Sequence, residues 1–324
     1  MLRVAVLCGG RSGEHEISLR SAESVMAGLD RAKYEVRKIF ITPEGRWEPG
    51  PILPEPGANP GIDVVFPVLH GTFGEDGTVQ GLLELAELPY VGCGVLASAV
   101  AMDKDVFKRL MVERGLPVGE YFVVRRGRYR AAELRDRLPY PVFVKPANLG
   151  SSVGISKVSD PAQLEAALEL AAQFDSKIVV ERGITGREFE CSVMGNDEPV
   201  VAIPCEILPS REFYDYEDKY LLGEARTILP AELTQSQTEE IRRLARESYA
   251  AAGCEGMARV DFLMEAATGS LFINEINTIP GFTSISMYPK MWEAAGVSFS
   301  ELLDRLVEFA LDRHRARQVT QYRR

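Results

Sequence analysis

The apolar positions of this chain change period several times, and each change marks an element. Residues 4–8 are an unbroken apolar run, too short for a helix and followed by Gly9-Gly10-Arg11-Ser12-Gly13, so they read as a buried strand entering a tight turn. Residues 17–29 place apolar side chains on one helical face, and 36–41 and 64–69 read as two further strands. A helix over 77–88 follows, with Leu82, Leu83, Leu85 and Ala86 as its inner face, and 88–93 reads as a last strand leading out. The stretch 49–60, rich in Pro and Gly, is expected as a surface loop. Together these form an open α/β unit.

After Ala101 the pattern changes. A helix over 104–114 precedes strands at 120–124, 141–145 and 155–158. The next helix opens with Asp160 as N-cap, Pro161 in the first position and Gln163 as the return partner, and Leu164, Ala167, Leu168 and Ala171 give its buried stripe. Strands are expected at 178–181, 188–194 and 199–207, then a helix over 238–252 closed by Gly253, a hairpin over 257–277, and a final helix opened by a Ser298/Glu301 capping box. Residues 312–324, with His314 and several arginines, read as a solvated tail. A chain of 324 residues exceeds one ordinary core, so two or three subdomains are expected.

Composition narrows the partners. With 46% hydrophobic and 26% charged residues the chain is an ordinary globular protein. A net charge of -10 argues against nucleic acid or an anionic membrane as main partner, although a few focused cations can still hold ATP. No apolar run approaches the ~20 residues needed to cross a bilayer, and the N-terminal run is too short for a signal sequence, so a cytoplasmic protein is expected. Five cysteines, spread and without a C-x-x-C pair, read as reduced thiols, and three scattered histidines add no case for zinc.

Four stretches carry candidate chemistry. Lys145-Pro146-Ala147-Asn148-Leu149-Gly150-Ser151-Ser152-Val153-Gly154 lies between two strands and lacks the G-K-[ST] ending of a Walker loop, which argues against that class of NTPase. Its backbone N–H groups and the hydroxyls of Ser151 and Ser152 can face phosphate oxygens, with the Lys145 charge at the root; a plain surface hairpin explains the loop equally well. In the hairpin, Arg259 and Asp261 share one strand face, as do Glu275 and Asn277. If 266–270 is the loop, Asp261 stands opposite Glu275 and Arg259 opposite Asn277. Two facing carboxylates call for a cation, and oxygen donors select Mg2+ or Mn2+ over zinc. The stretch 181–188 can offer backbone to an adenine edge and a carboxylate to a ribose, but alone reads as a strand connection. The glycine turn at 9–13 places an anion-holding helix N-terminus after a strand. It is not G-x-G-x-x-G, and the second strand ends Ile41-Thr42-Pro43 without an acidic residue, so a dehydrogenase fits poorly.

Taken in order, these motifs resemble the ATP-grasp superfamily and, within it, the D-alanine–D-alanine ligases. The resemblance runs through Gly9-Gly10…Glu14-His15-Glu16-Ile17-Ser18, Leu69-His70-Gly71 with Gly74-Glu75-Asp76-Gly77, Met102-Asp103-Lys104, the 145–154 loop, Tyr214-Asp215-Tyr216…Lys219-Tyr220, Arg259-Val260-Asp261, Glu275-Ile276-Asn277 and Pro280-Gly281. It implies an α/β (α+β) fold of three domains: a Rossmann-like open sheet at 1–101, a central domain at 102–186 and a C-terminal domain at 187–324, with a mobile loop at 206–226. ATP would lie between the last two. Lys104 and Lys145 would contact phosphates, with Ser151, Ser152 and Lys219. Glu181, Arg182, Ile184 and Glu188 would frame the adenosine; relatives often carry lysine in place of Arg182. Asp261, Glu275 and Asn277, with Asn274 beside them, would hold two Mg2+ ions, Mn2+ being the alternative, and a monovalent cation is compatible. Glu14, Ser151 and Tyr220 would orient the first D-alanine. Arg259 and the backbone at Gly281 would hold the oxyanion, while His70 and Ser286 would contact substrate. Relatives of this kind are commonly homodimers.

The implied reaction is ligation of two D-alanines through D-alanyl phosphate, for peptidoglycan precursor synthesis, with D-alanine and ATP as the small-molecule partners. Two alternatives stand beside it: the same fold with another acceptor such as D-lactate, which the Lys219-Tyr220 pair argues against, and a nucleotide-binding module without turnover, which the complete metal set and both lysines argue against. The choice of D over L rests on the resemblance alone.

Overall fold

The computed structural model describes residues 1–150, 153–208 and 226–321. The first unit holds β1 (Leu2–Gly9), α1 (His15–Gly28), β2 (Tyr34–Ile41), β3 (Trp47–Glu48), β4 (Val64–Pro67), α2 (Thr78–Leu85) and α3 (Val95–Met102). Its sheet runs β3-β2-β1-β4, with β1 parallel to both β2 and β4. A strand covered on both faces must be apolar throughout, which accounts for the run at 4–8. Because the chain passes from β2 to β4 across β1, a crevice opens at the carboxyl ends, beside Gly9 and His70.

Two expectations for this unit are corrected. Residues 88–93 make only an isolated bridge, Val65 to Tyr90, and no strand. Leu85 is 65% exposed, because the inner face of α2 is set by Val79 and Leu83, one turn apart, and Leu85 points away from both. The helix α3 has no counterpart in the expected elements; its Val95-Leu96-Ala97 run lacks the polar face that marks an amphipathic helix.

The second unit comprises α4 (Lys104–Glu113), β5 (Tyr121–Arg125), β6 (Val142–Pro146), β7 (Ser156–Val158), α5 (Leu164–Phe174) and β8 (Lys177–Arg182). Its antiparallel sheet, β5-β8-β6-β7, packs the Leu164, Ala167, Leu168 and Ala171 stripe of α5 against Val142, Val144 and Val180. The Asp160 capping box is present, and the turn it opens, Pro161–Gln163, is a 3-10 turn leading into α5.

The third unit comprises β9 (Gly186–Gly195), β10 (Val200–Val201), β11 (Cys205–Leu208), β12 (Arg226–Ile228), α6 (Gln235–Ala251), β13 (Gly256–Glu265), β14 (Leu271–Asn277), α7 (Met287–Ala294) and α8 (Phe299–Gln318). The sheet order is β12-β11-β9-β13-β14, with β10 paired to β9. The strand expected over 199–207 is broken before Pro204, which cannot donate to a ladder. The helix α6 starts before Thr238 because Thr234 and Gln237 form a capping box. At Ser298 only half of the expected box forms, the hydroxyl accepting from the Glu301 amide. The segment expected as a loop at 206–226 is bounded by strand residues, Leu208 pairing directly with Arg226; its interior, including Lys219 and Tyr220, lies outside the described residues.

The apolar cores do not follow the three units. On one face of the third sheet α6 packs with α3 and α4, bringing Phe107 and Met111 against Phe189, Tyr249 and Phe262. On the other, α7 and α8 share one core with the first sheet, Tyr288, Trp292, Leu302 and Leu306 lying among Val4, Val6, Val25 and Phe66. All five cysteines are buried free thiols. Among the described residues no helix is long and apolar enough to cross a membrane.

The C-terminal stretch is also corrected. Residues 312–318 continue α8, and Arg313 is buried, stacked over the Tyr90 ring at 4.3 Å, donating to the Tyr90 carbonyl at 2.8 Å and to the Gly92 carbonyl. Arg313→Met strands these two acceptors. The expected cost is about 2–4 kcal/mol, read as a lower urea midpoint with steady-state kinetics of the folded fraction unchanged.

Candidate functional site

Three groups of side chains converge where the units meet. The first is set by the strict alternation of β13, which buries Ala258, Val260, Phe262 and Met264 and turns Arg259 and Asp261 to the opposite face. Pairing across the sheet places Glu190 of β9, Asp261 and Glu275 of β14 in one row, with Ser192, Arg259 and Asn277 in the next. The expected pairs Asp261–Glu275 and Arg259–Asn277 are therefore present. Beyond them the register shifts by one, because Asn274 is an extra residue on β14. This bulge lets Ile273 and Ile276 both enter the core while Glu275 stays on the polar face.

Like charges opposite each other need a cation between them. Arg259 supplies part of it, holding Asp261 through two hydrogen bonds of 2.7 and 2.6 Å and approaching Glu190 at 3.4 Å. Asp261, Glu275 and Asn277 offer only oxygen donors from their carboxylates and the amide carbonyl, which suits a hard cation such as Mg2+. Among the described residues no group of three or more His, Cys, Asp and Glu side chains is arranged to hold a metal ion, so the third donor of this set is the Asn277 amide rather than a carboxylate.

The second group is cationic. Lys104 and Lys108 stand one turn apart on α4, and Lys145 ends β6. The Lys104 ammonium is buried and donates to the Leu149 carbonyl at 2.6 Å. Burial pushes its pKa down; Glu275 and Glu181 pull it back up, and Lys145 and Lys108 push it lower. Lys104 therefore lies within the field of both the hairpin and the central sheet. Glu181 is buried between Lys145 and Lys108, the latter at 2.9 Å. Burial would raise its pKa, but the two lysines hold it down to about 2. The Glu181 carboxylate is thus turned to the two lysines. The Arg182 guanidinium pairs with Glu265 at 2.6 Å. Ile184 packs on Gly119, whose added Cβ would lie 3.3 Å from its Cδ1. Glu188 stands two residues before Glu190 on the same strand, hence on the same face.

The third group lies at the crevice of the first sheet. Gly9 adopts φ +88°, where a Cβ would meet the Ile41 carbonyl at 2.2 Å, so the turn requires glycine. Ser18 clamps the strand ends, accepting from Gly9 N at 2.8 Å and donating to the Val68 carbonyl. Glu14, at the start of α1, is buried beside the turn at Gly71, and a Cβ on Gly150 would lie 3.6 Å from its Oε2. The loop of the second unit thus reaches the first; Ser151 and Ser152, which follow Gly150, lie outside the described residues.

His70 was expected at the substrate. Its Nδ1 faces the Ile279 carbonyl at 3.0 Å and its Nε2 the Ser21 hydroxyl at 3.1 Å, while that hydroxyl accepts from Phe282 N at 3.2 Å. Both ring nitrogens are used within the protein, and burial lowers its pKa, so a neutral His70 ties the crevice to the turn that carries Gly281. A Cβ on Gly281 would fall 2.6 Å from Ser286 Oγ, so this turn packs onto the N-terminus of α7 only as glycine. Sequence reasoning missed Lys108 and Glu190. The signals were present: Lys108 is four residues after Lys104 in a helix, and Glu190 two after Glu188 in a strand.

The chain is similar to known proteins over nearly its whole length. The family model described as D-ala D-ala ligase C-terminus matches residues 110–308, and that described as D-ala D-ala ligase N-terminus matches 3–55 and 52–93. The D-alanine--D-alanine ligase of Solibacter usitatus (strain Ellin6076) is 67% identical over 323 residues, which is 100% of this chain and 99% of that protein. The solved structure of the D-alanine-D-alanine ligase from Coxiella burnetii matches with a TM-score of 0.87 at 39% identity, over 98% of this chain and 96% of that one. VanG D-Ala:D-Ser ligase from Enterococcus faecalis matches at 0.87 and 38%, over 95% and 99%. With both family models and a full-length relative at this identity, the chain belongs to the D-alanine–D-alanine ligase family.

Proposed function

We propose that this chain joins two molecules of D-alanine at the expense of ATP, through D-alanyl phosphate, in the supply of peptidoglycan precursors in the cytoplasm. The observation that carries the reading is the convergence of an anionic hairpin, a cationic cluster and the Glu14 crevice on one cleft, with Lys104 in the field of Glu275.

A carboxylate resists attack because its charge is delocalised, and phosphoryl transfer turns one of its oxygens into part of a leaving group. Lys104 and Lys145 would neutralise charge on the phosphates. Asp261, Glu275 and Asn277 would hold Mg2+, as two ions, with Mn2+ able to replace it; a monovalent cation is compatible with the site. When bound, the metal would supply positive charge against the oxygens of the transferred group. The Arg259 fork, with backbone N–H at Gly281, would hold the oxyanion formed when the neutral amine of the second D-alanine attacks. Glu14, with Ser151 and Tyr220, would orient the first D-alanine. The N-terminus of α7 at Ser286 would take the carboxylate of the second, where helix N–H groups favour an anion. We read His70 as a residue that positions the Gly281 turn. We also place the boundaries of the three domains near 101 and 186 and the working form as a homodimer.

Charge balance in the crevice involves one more residue. Glu75 accepts from Gly71 N at 2.9 Å in a partly buried position. Burial first, then the Glu14 charge, raises its pKa well above 4.5. The folded protein therefore keeps a proton on Glu75 that the unfolded chain loses above pH 4.5, and its contribution to stability falls as pH rises from there.

Three outcomes are expected. Glu275→Gln lowers phosphate release by about 10²-fold or more with the melting temperature retained; retained turnover removes the metal assignment. Phosphate release is stimulated by D-alanine alone with D-alanyl-D-alanine in the product, and weakly by L-alanine; a mixed product with D-serine or D-lactate in preference to the dipeptide changes the acceptor. Glu75→Gln, which keeps an acceptor for Gly71 N, gains melting temperature relative to the parent as pH is raised from about 5 to 8.

A further inference from the structure

We infer that Lys108 is a positioning residue for the nucleotide: it keeps Glu181 neutralised so that Lys145 can leave Glu181 for a phosphate. The inference rests on the ATP-site reading above and concerns how one lysine becomes available.

Glu181 gives one oxygen to each lysine, Oε1 to Lys145 and Oε2 to Lys108 at 2.9 Å. The two cations are not equivalent. Each stands near a ring, Lys108 Nζ 5.8 Å from the Tyr121 centre and Lys145 Nζ 5.7 Å from that of Phe143. They differ in access: the Lys108 side chain is 3% exposed, whereas that of Lys145 is 11% exposed and reaches Glu181 from the end of β6, next to the 145–154 loop. Two ammonium groups on one carboxylate leave one positive charge in excess, and Lys145 is the more accessible of the two.

Removing a partner from a buried ion pair leaves an uncompensated charge, which is strongly unfavourable. With Lys108 in place, Lys145 can swing to a phosphate while Glu181 stays paired. Without Lys108, Lys145 and Glu181 form a closed neutral pair, and taking Lys145 away strands a buried carboxylate. Lys108 and Lys145 both hold Glu181 ionised, so the carboxylate keeps a counter-ion when either one is present. Lys104, one turn earlier on α4, is held by the Leu149 carbonyl and does not touch Glu181, so it cannot replace Lys108.

The test compares Lys108→Met, Lys108→Arg, the double variant Lys108→Met/Glu181→Gln, and Lys145→Met, by phosphate release over a range of ATP and D-alanine concentrations. Lys108→Met is expected to raise KM for ATP about tenfold and leave KM for D-alanine within twofold. Lys108→Arg keeps ATP KM within about twofold of the parent, and the double variant recovers most of the loss because no charge remains to trap Lys145. An unchanged ATP KM in Lys108→Met, or a double variant as impaired as the single one, overturns the proposal. If Lys108→Met does not fold, the double variant decides it alone: an ATP KM near the parent supports the proposal, and one raised as far as in Lys145→Met overturns it. Lys145→Met separates the two readings, because an ATP KM unmoved by that substitution removes the nucleotide assignment itself.

Discussion

The row of carboxylates across β9, β13 and β14 is the constraint around which the site is built. Glu190, Asp261 and Glu275 are neighbours on one sheet face, and three like charges at strand spacing are unstable unless positive charge is held among them. Arg259, two residues before Asp261 on the same face of β13, is the internal answer, its fork held on Asp261. The lysines on α4 and β6 are a second source, near enough for Lys104 to respond to Glu275. A cleft of this kind accepts a polyanion only together with a cation, which is the composition of a metal nucleotide.

Much of this was legible from residue types alone. The alternation of β13 predicted which side chains share a face, and the pairs Asp261–Glu275 and Arg259–Asn277 followed from it. The bulge at Asn274 was not extracted, although Ile273 and Ile276 are an odd number of residues apart and cannot both enter a core from a regular strand. Capping chemistry located α5 well. It failed for α7 and α3, whose apolar faces are short and whose position is fixed by distant elements.

Partnerships between distant residues were the other loss. Nothing local reveals that Glu181 lies between two lysines. The partners of Arg182 and His70 were hidden for the same reason: Glu265 and the Ile279 carbonyl are far along the chain and become neighbours only on folding. The first and third units likewise look separable in sequence, yet Trp292 and Leu302 complete the core begun by Val4 and Phe66.

That shared core decides which parts can move as bodies. Glu14 and the turn before α7 ride on one apolar mass, so the side of the cleft proposed for the amino acids has a fixed geometry. The β5-β8-β6-β7 sheet has its own core under α5. Much of what ties it to α4 is charge: Lys177 with Asp103 and Asp105, and Glu181 with Lys108. An apolar interface must be repacked to shift, whereas an ionic seam can trade one counter-ion for another. On the proposed reading the nucleotide side of the cleft would therefore be hinged on electrostatics, and phosphates entering it would themselves compete for the cations that hold it shut.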